Sequence, residues 1–174
     1  MKKSKLLMII LSLVVVSAIF AGLKNGQRFF KSEVDPKSEA EKVILESFKV
    51  DISDEYDKYN DLYINDVGNN PEGSKKNFKE GLYTKQITIH SLKKLTKEEY
   101  TNKSNGSKYY PYMERLNKLN PIDFEIIEVN YTIKFTDKLN KIAQWGNGDW
   151  VRYYVVVKQN ANVNWKILEV YGHL

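Results

Sequence analysis

The stretch Phe124–Tyr171 decides the fold; its segments are FEIIEVNYTIKF (124–135), TDKLNKIAQWGNGD (136–149), WVRYYVVVK (150–158), QNANV (159–163) and NWKILEVY (164–171). In the first segment Ile127, Val129, Tyr131, Ile133 and Phe135 fall on one parity and Glu128, Asn130, Thr132 and Lys134 on the other. Alternation of this kind marks a half-buried strand. Phe124 and Ile126 sit on the opposite parity, which predicts a bulge near Ile126–Ile127. Trp150–Lys158 is almost continuously apolar, so it reads as a central strand covered on both faces. Asn164–Tyr171 closes an aromatic-rich hairpin, with Trp165, Ile167 and Tyr171 on one face and Leu168 and Val170 on the other.

Upstream, apolar spacing changes from two to three and four. Asp35-Pro36 is a helix start, with a capping residue followed by Pro. Ala40, Val43, Ile44 and Phe48 then share one face, to about Val50. After the break at Asp51–Asp54, Tyr56, Tyr59 and Leu62/Tyr63 predict a second helix. Asn65–Lys76 carries Gly, Asn and Pro without periodicity and reads as a loop, with one helical turn around Phe78 and Leu82 after it. Gln86–Leu92 is β-branched and alternating, hence the first strand, with His90 on the face of Thr88 and Leu92. Thr96 and Glu99 form a capping box opening a short helix. Ser104–Ser107 is a loop, and Met113–Leu119 a short helix stopped by Asn120-Pro121. Helices followed by antiparallel strands give an α+β fold, with N-terminal helices packed on a curved antiparallel sheet.

The front of the chain is of another kind. Lys2, Lys3 and Lys5 precede Leu6–Leu23, a run without charge that is long enough to approach a bilayer span. One reading is a signal peptide cleaved after Val16-Ser17-Ala18. The other is an N-terminal hydrophobic helix kept as a membrane anchor, basic end inside; the length of the run favours it. Residues 24–34 form a polar tether in which Phe29-Phe30 either meets the membrane interface or starts the fold, and residues 35–174 form one extracytoplasmic domain. The chain has no cysteine, which excludes a disulfide, a thiolate metal site, a cysteine nucleophile and lipid attachment after export. Without the three leading lysines, 24 basic residues face 22 acidic ones (27 − 3 = 24), a balance of +2 that gives no case for nucleic acid.

These elements resemble the nuclear transport factor 2-like (SnoaL-like) α+β cone superfamily. Gln86–Tyr100, Phe124–Phe135, Gly148–Tyr154 and the Trp165-Lys166-Ile167…Gly172 ending are similar, more narrowly, to a family of small exported bacterial proteins of uncharacterised role. The resemblance implies the cone fold for residues 36–174. It extends to isomerases, dehydratases, ligand binders and membrane-anchored scaffold subunits, so it does not choose among functions.

P-loop, dinucleotide, zinc and EF-hand patterns are absent, and the sequence calls for no cofactor, no metal and no catalytic set. His90 and His173 are the only histidines. Asp149, Glu128 and Glu169 are strand-borne acids near Tyr131, Tyr153 and Tyr154. The ligand-binding candidates, on a pocket or a surface, are Tyr109, Tyr110, Tyr112, Tyr131, Trp145, Asp149 and Tyr153. Tyr supplies apolar area with a polar tip, and the chain has twelve, enough to line a concave surface. Trp150 and Trp165 are expected in the core, and Lys93, Lys94 and Lys97 on a solvated face. The function that follows is binding rather than catalysis: a module at the bacterial cell envelope, attached to the membrane through its N-terminal segment, that contacts an envelope protein or self-associates. The alternative is a small-ligand binder or isomerase-like enzyme using a cone pocket.

Overall fold

The computed structural model describes residues 28–64, 70–101 and 106–172, with the side chains of 106–112 outside that description. Leu6–Leu23 and His173 lie outside the described residues. Among the described residues, no helix is long and apolar enough to cross a membrane.

The fold is α+β, built on one open five-stranded sheet in the order β1-β2-β3-β4-β5. The strands are β1 (Phe29–Ser32), β2 (Thr84–Lys94), β3 (Asp123–Phe135), β4 (Gly148–Lys158) and β5 (Lys166–Gly172). β2 to β5 pair antiparallel. β1 pairs parallel to β2, so one edge departs from the antiparallel pattern. The sheet therefore starts inside the stretch read as a tether. Four residues flanked by polar ones are too few to show alternation.

The helices are α1 (Glu39–Ser53), α2 (Tyr59–Leu62, after a 3₁₀ turn at Tyr56–Lys58), α3 (Pro71–Lys79), α4 (Lys97–Thr101), α5 (Gly106–Leu119) and α6 (Asp137–Asn140). α1 is capped by Ser38 rather than Asp35: the Glu41 amide donates to Ser38 Oγ at 3.2 Å. Its end is Asp54, in the left-handed conformation that Asp tolerates better than most residues. α3 corrects the expected loop over 70–76. Asn70 caps it through the Gly73 amide, 2.9 Å, and Pro71 occupies the first turn. The Thr96–Glu99 capping box forms as expected, with the Thr96 amide 2.7 Å from Glu99 Oε2 and the Glu99 amide 3.3 Å from Thr96 Oγ1. α5 is one helix through Pro111, longer than the short helix predicted from Met113.

Helices cover both faces of the sheet. On one face Ala40, Ile44 and Phe48 of α1 pack on Ile87, Ile89, Ile127, Val129, Tyr131, Tyr154, Val156 and Ile167. On the other, Leu95 and Leu116 pack on Ile126, Tyr153, Val155, Val157, Leu168 and Tyr171. Burial of each such aliphatic side chain stabilises by about 1.5–3 kcal/mol. The second layer removes the need for a bulge in β3. Ile126 is buried on its own parity, and β3 pairs with β4 in unbroken register. The bulges lie elsewhere. One at His90 shifts the phase of β2, so that Leu92 packs with Ile87 and Ile89 instead of sharing the side of His90. Another, at Leu168, faces the break between Val155 and Val156 and sends Tyr171 to the face opposite Ile167.

Candidate functional site

A cavity of about 500 Å³ lies between the C-terminal half of α1 and the sheet. α1 supplies Ser47, Phe48 and Asp51; β3 supplies Tyr131, Ile133 and Phe135. β4 adds Trp150, Arg152 and Tyr154, and β5 adds Glu169 and Val170. Tyr59 opens α2 and Tyr63 follows its end, and Trp145 comes from the α6–β4 loop. The β3 and β4 residues alternate, so they share one face of the sheet. Beside Phe48 the last turns of α1 turn Val50 and Ile52 into apolar clusters and place Asp51 at the cavity.

Phe48 forms the floor, with ring centroids 5.0 Å from Tyr131 and 5.7 Å from Tyr154. Trp145 and Trp150 meet edge to face at 5.5 Å, and Trp150 Nε1 donates to the Gly146 carbonyl at 3.1 Å. These contacts fix the loop, as do the Asn147 amide on Asn140 Oδ1 (2.7 Å) and the Phe135 amide on Asn147 Oδ1 (2.7 Å). Among the described residues lining the cavity, Trp145 is the one that is exposed. Arg115 of α5 reaches across to Glu169, Nη1 to Oε2 2.6 Å, and ties the two lining side chains together.

The polar groups are set against each other. The Tyr59 hydroxyl donates to Asp51 Oδ1. Burial lifts the Asp51 carboxyl from its ordinary 3.8 to about 6, against the Tyr59 hydrogen bond and the charges of Arg152 and Arg28, which pull it down. Burial also raises Tyr59, with the negative charge of Asp51 acting in the same direction. Tyr131 and Tyr154 are raised by burial as well. All three are hydroxyl donors at neutral pH. Among the described residues no hydrogen bond or ion pair holds the Arg152 guanidinium, and none occupies the hydroxyls of Tyr131 and Tyr154.

Arg28 supports the site from outside. Its Nε donates to the Thr84 carbonyl at 2.9 Å, and Nη2 donates to the Asp51 carbonyl. It also pairs with Asp54 and lies over the rings of Phe78 (4.8 Å) and Tyr83 (5.0 Å).

No protein-family model matches the chain, and no curated protein or solved structure is significantly similar to it.

The site is thus read from its own residues. Of the sequence candidates, Tyr131 and Trp145 line the cavity. Tyr153 lies on the opposite face of β4, stacked on Tyr171 at 5.3 Å. Asp149 is exposed outside the cavity and accepts a hydrogen bond from Thr132. Tyr109, Tyr110 and Tyr112 fall within α5, and their side chains lie outside the described residues. Glu169 and Tyr154 line the cavity, whereas Glu128 does not. His90 bridges the sheet surface instead, with Nδ1 2.8 Å from Glu33 and Nε2 2.7 Å from Thr132. Among the described residues no group of three or more His, Cys, Asp or Glu side chains is placed to hold a metal. The sequence reading missed Asp51, Tyr59, Tyr63, Arg115 and Arg152. One signal was available: Arg152 is the only charged residue inside the run Trp150–Val157, where a solvated strand would have offered alternation.

Proposed function

We propose that the domain binds a small organic ligand bearing an anionic group, in a nuclear transport factor 2-like cone held at the outer side of a bacterial membrane by the N-terminal apolar segment. One observation carries the ligand reading: the Arg152 guanidinium lines an aromatic cavity, and among the described residues no hydrogen bond or ion pair holds it, the charge of Asp51 acting on it only from a distance. Its donors are free to meet a ligand, and a carboxylate or phosphate matches their fork geometry. Phe48, Tyr131, Trp150 and Tyr154 supply flat apolar walls for the remainder of the ligand. The cavity volume suits a molecule of metabolite size.

The test is a screen of aromatic and aliphatic carboxylates and phosphates by nuclear magnetic resonance against the protein and its Arg152→Gln variant. Binders are expected to shift Trp150 and the cavity tyrosines, and to weaken about 10- to 100-fold in the variant, the range for losing a charge-assisted hydrogen bond. Binders that map elsewhere, or that ignore Arg152→Gln, refute the reading.

A second reading is favoured by Asp51. A carboxyl that titrates at about 6 beside a ligand cavity is suited to taking up a proton near neutral pH, as an isomerase-like enzyme requires. Exchange of ligand C–H for deuterium, lost in Asp51→Asn, tests it. The envelope-scaffold reading draws on a different surface, the outer edge of β1, and partner recovery after crosslinking in cells separates it from ligand binding.

A further inference from the structure

The described chain enters the fold at one end of the sheet, and that end is identifiable. Arg28 donates to the Thr84 carbonyl, Thr84 pairs with Phe135, and the loop 136–147 continues directly from Phe135. Tyr83 joins the two: its ring lies 5.0 Å from the Arg28 guanidinium carbon, and its carbonyl accepts from the Thr136 amide at 3.0 Å. The entry point and the α6–β4 loop are therefore neighbours.

That loop is apolar where it is most exposed. Ile142 is 68 % exposed and Trp145 37 % exposed. Lys138 and Lys141 are exposed beside them, the Lys138 ammonium donating one hydrogen bond to the Glu80 carbonyl at 2.6 Å, and no acid occurs between Lys138 and Gly148. Among the described residues, Glu80, Asp137 and Asp149 are exposed acids next to the loop in sequence or through the Lys138 contact. Exposure alone does not choose this end, because Ile122 (61 %) and Val163 (36 %) are exposed at the opposite one. The tether chooses. Four residues separate Leu23, the last of the apolar run, from Arg28. Fully extended, that link reaches about 18 Å at most. The eleven residues of β4 run about 33 Å from the Gly148 end to the Lys158 end. With Leu6–Leu23 in a bilayer, the Arg28 end is held within that reach of the surface, whereas the Lys158 end is not.

We infer that the sheet end formed by Arg28 and the loop 136–147 rests on the phospholipid bilayer holding the N-terminal segment, with Ile142 and Trp145 entering the headgroup–acyl boundary and Lys138 and Lys141 meeting lipid phosphates. Trp favours this boundary and Lys the anionic headgroups. The inference rests on the anchor proposed above and is independent of what the cavity binds. Trp145 is both membrane contact and cavity wall, so the exposed side of the cavity lies next to lipid.

The absence of cysteine allows single labels on the full-length chain. Ile142→Cys and Val163→Cys are each labelled with an environment-sensitive fluorophore and reconstituted in phosphatidylglycerol–phosphatidylcholine vesicles. Both positions are exposed, so neither substitution disturbs the core. The label at 142 is expected to shift to the blue relative to detergent-free aqueous reference peptide and to be quenched by lipids spin-labelled near the headgroup; the label at 163 is expected to do neither. A water-exposed label at 142, or lipid quenching at 163, overturns the orientation. Failure of the chain to float with the vesicles overturns the anchor instead, and the two failures are read separately.

Discussion

Tyr59 donates its hydroxyl hydrogen bond to Asp51 and thereby joins the start of α2 to the last part of α1. The pair places a carboxylate, which water would ordinarily solvate, against an aromatic cavity. It also restrains the carboxyl: without Tyr59, burial would act with less opposition.

Asp51 makes stability fall with rising pH over a defined window. Below about 4 the carboxyl is protonated in folded and unfolded chains alike. Between about 4 and about 6 only the folded chain keeps the proton, so ionisation above that range costs the fold on the order of 3 kcal/mol. Asp51→Asn should remove this slope. Its melting temperature is expected to exceed that of the parent at pH 7.5 and to match it near pH 4, as read by thermal unfolding across that range.

Arg152 holds the Asp51 titration down through its charge. Arg152→Gln should therefore move the Asp51 midpoint above about 6. Carbon-detected nuclear magnetic resonance of the carboxyl follows this directly, and a midpoint that stays or falls would separate the two groups electrostatically.

Phe48 is buried between Tyr131 and Tyr154. Phe48→Ala should cost about 3–5 kcal/mol, through lost burial and an enlarged void. Urea unfolding measures the loss. The variant should also accept bulkier cavity ligands than the parent.

Arg28 bonds two backbone carbonyls, those of Thr84 and Asp51, and covers two rings. Arg28→Ala leaves both carbonyls without that donor and should destabilise by on the order of 3 kcal/mol. Arg28→Lys should recover little, because an ammonium lacks the planar fork that reaches both carbonyls while facing the rings. Hydrogen exchange should report the damage first in α3 and at the start of β2.

What the sequence disclosed followed the strength of its periodicity. β3, β4 and β5 were legible because alternation or unbroken apolarity extends over seven or more residues. The Thr96–Glu99 box was legible because its chemistry is local. β1 was hidden because its four residues acquire meaning only beside β2. α3 was hidden because its apolar content is low, although Asn70-Pro71 carried the start signal. Tyr171 changed face because a single residue, Leu168, is bulged, and alternation offers no warning of that. The cavity depends on how α1, α2 and the α6–β4 loop meet over the sheet, a tertiary fact. Asp51 looked like part of a break, and only Arg152, alone among apolar neighbours, hinted at a partner.

The parallel pairing of β1 bears on mechanical load. Any tension arriving from residue 27 runs along β1 toward its own N-terminus. The β1–β2 ladder bonds lie across that line and are loaded together in shear instead of being unzipped one after another. Arg28, clamped to Thr84, Asp51 and Asp54 at the point of entry, takes the first share of the force. The shortest strand of the sheet is thus oriented to bear a pull from its tether.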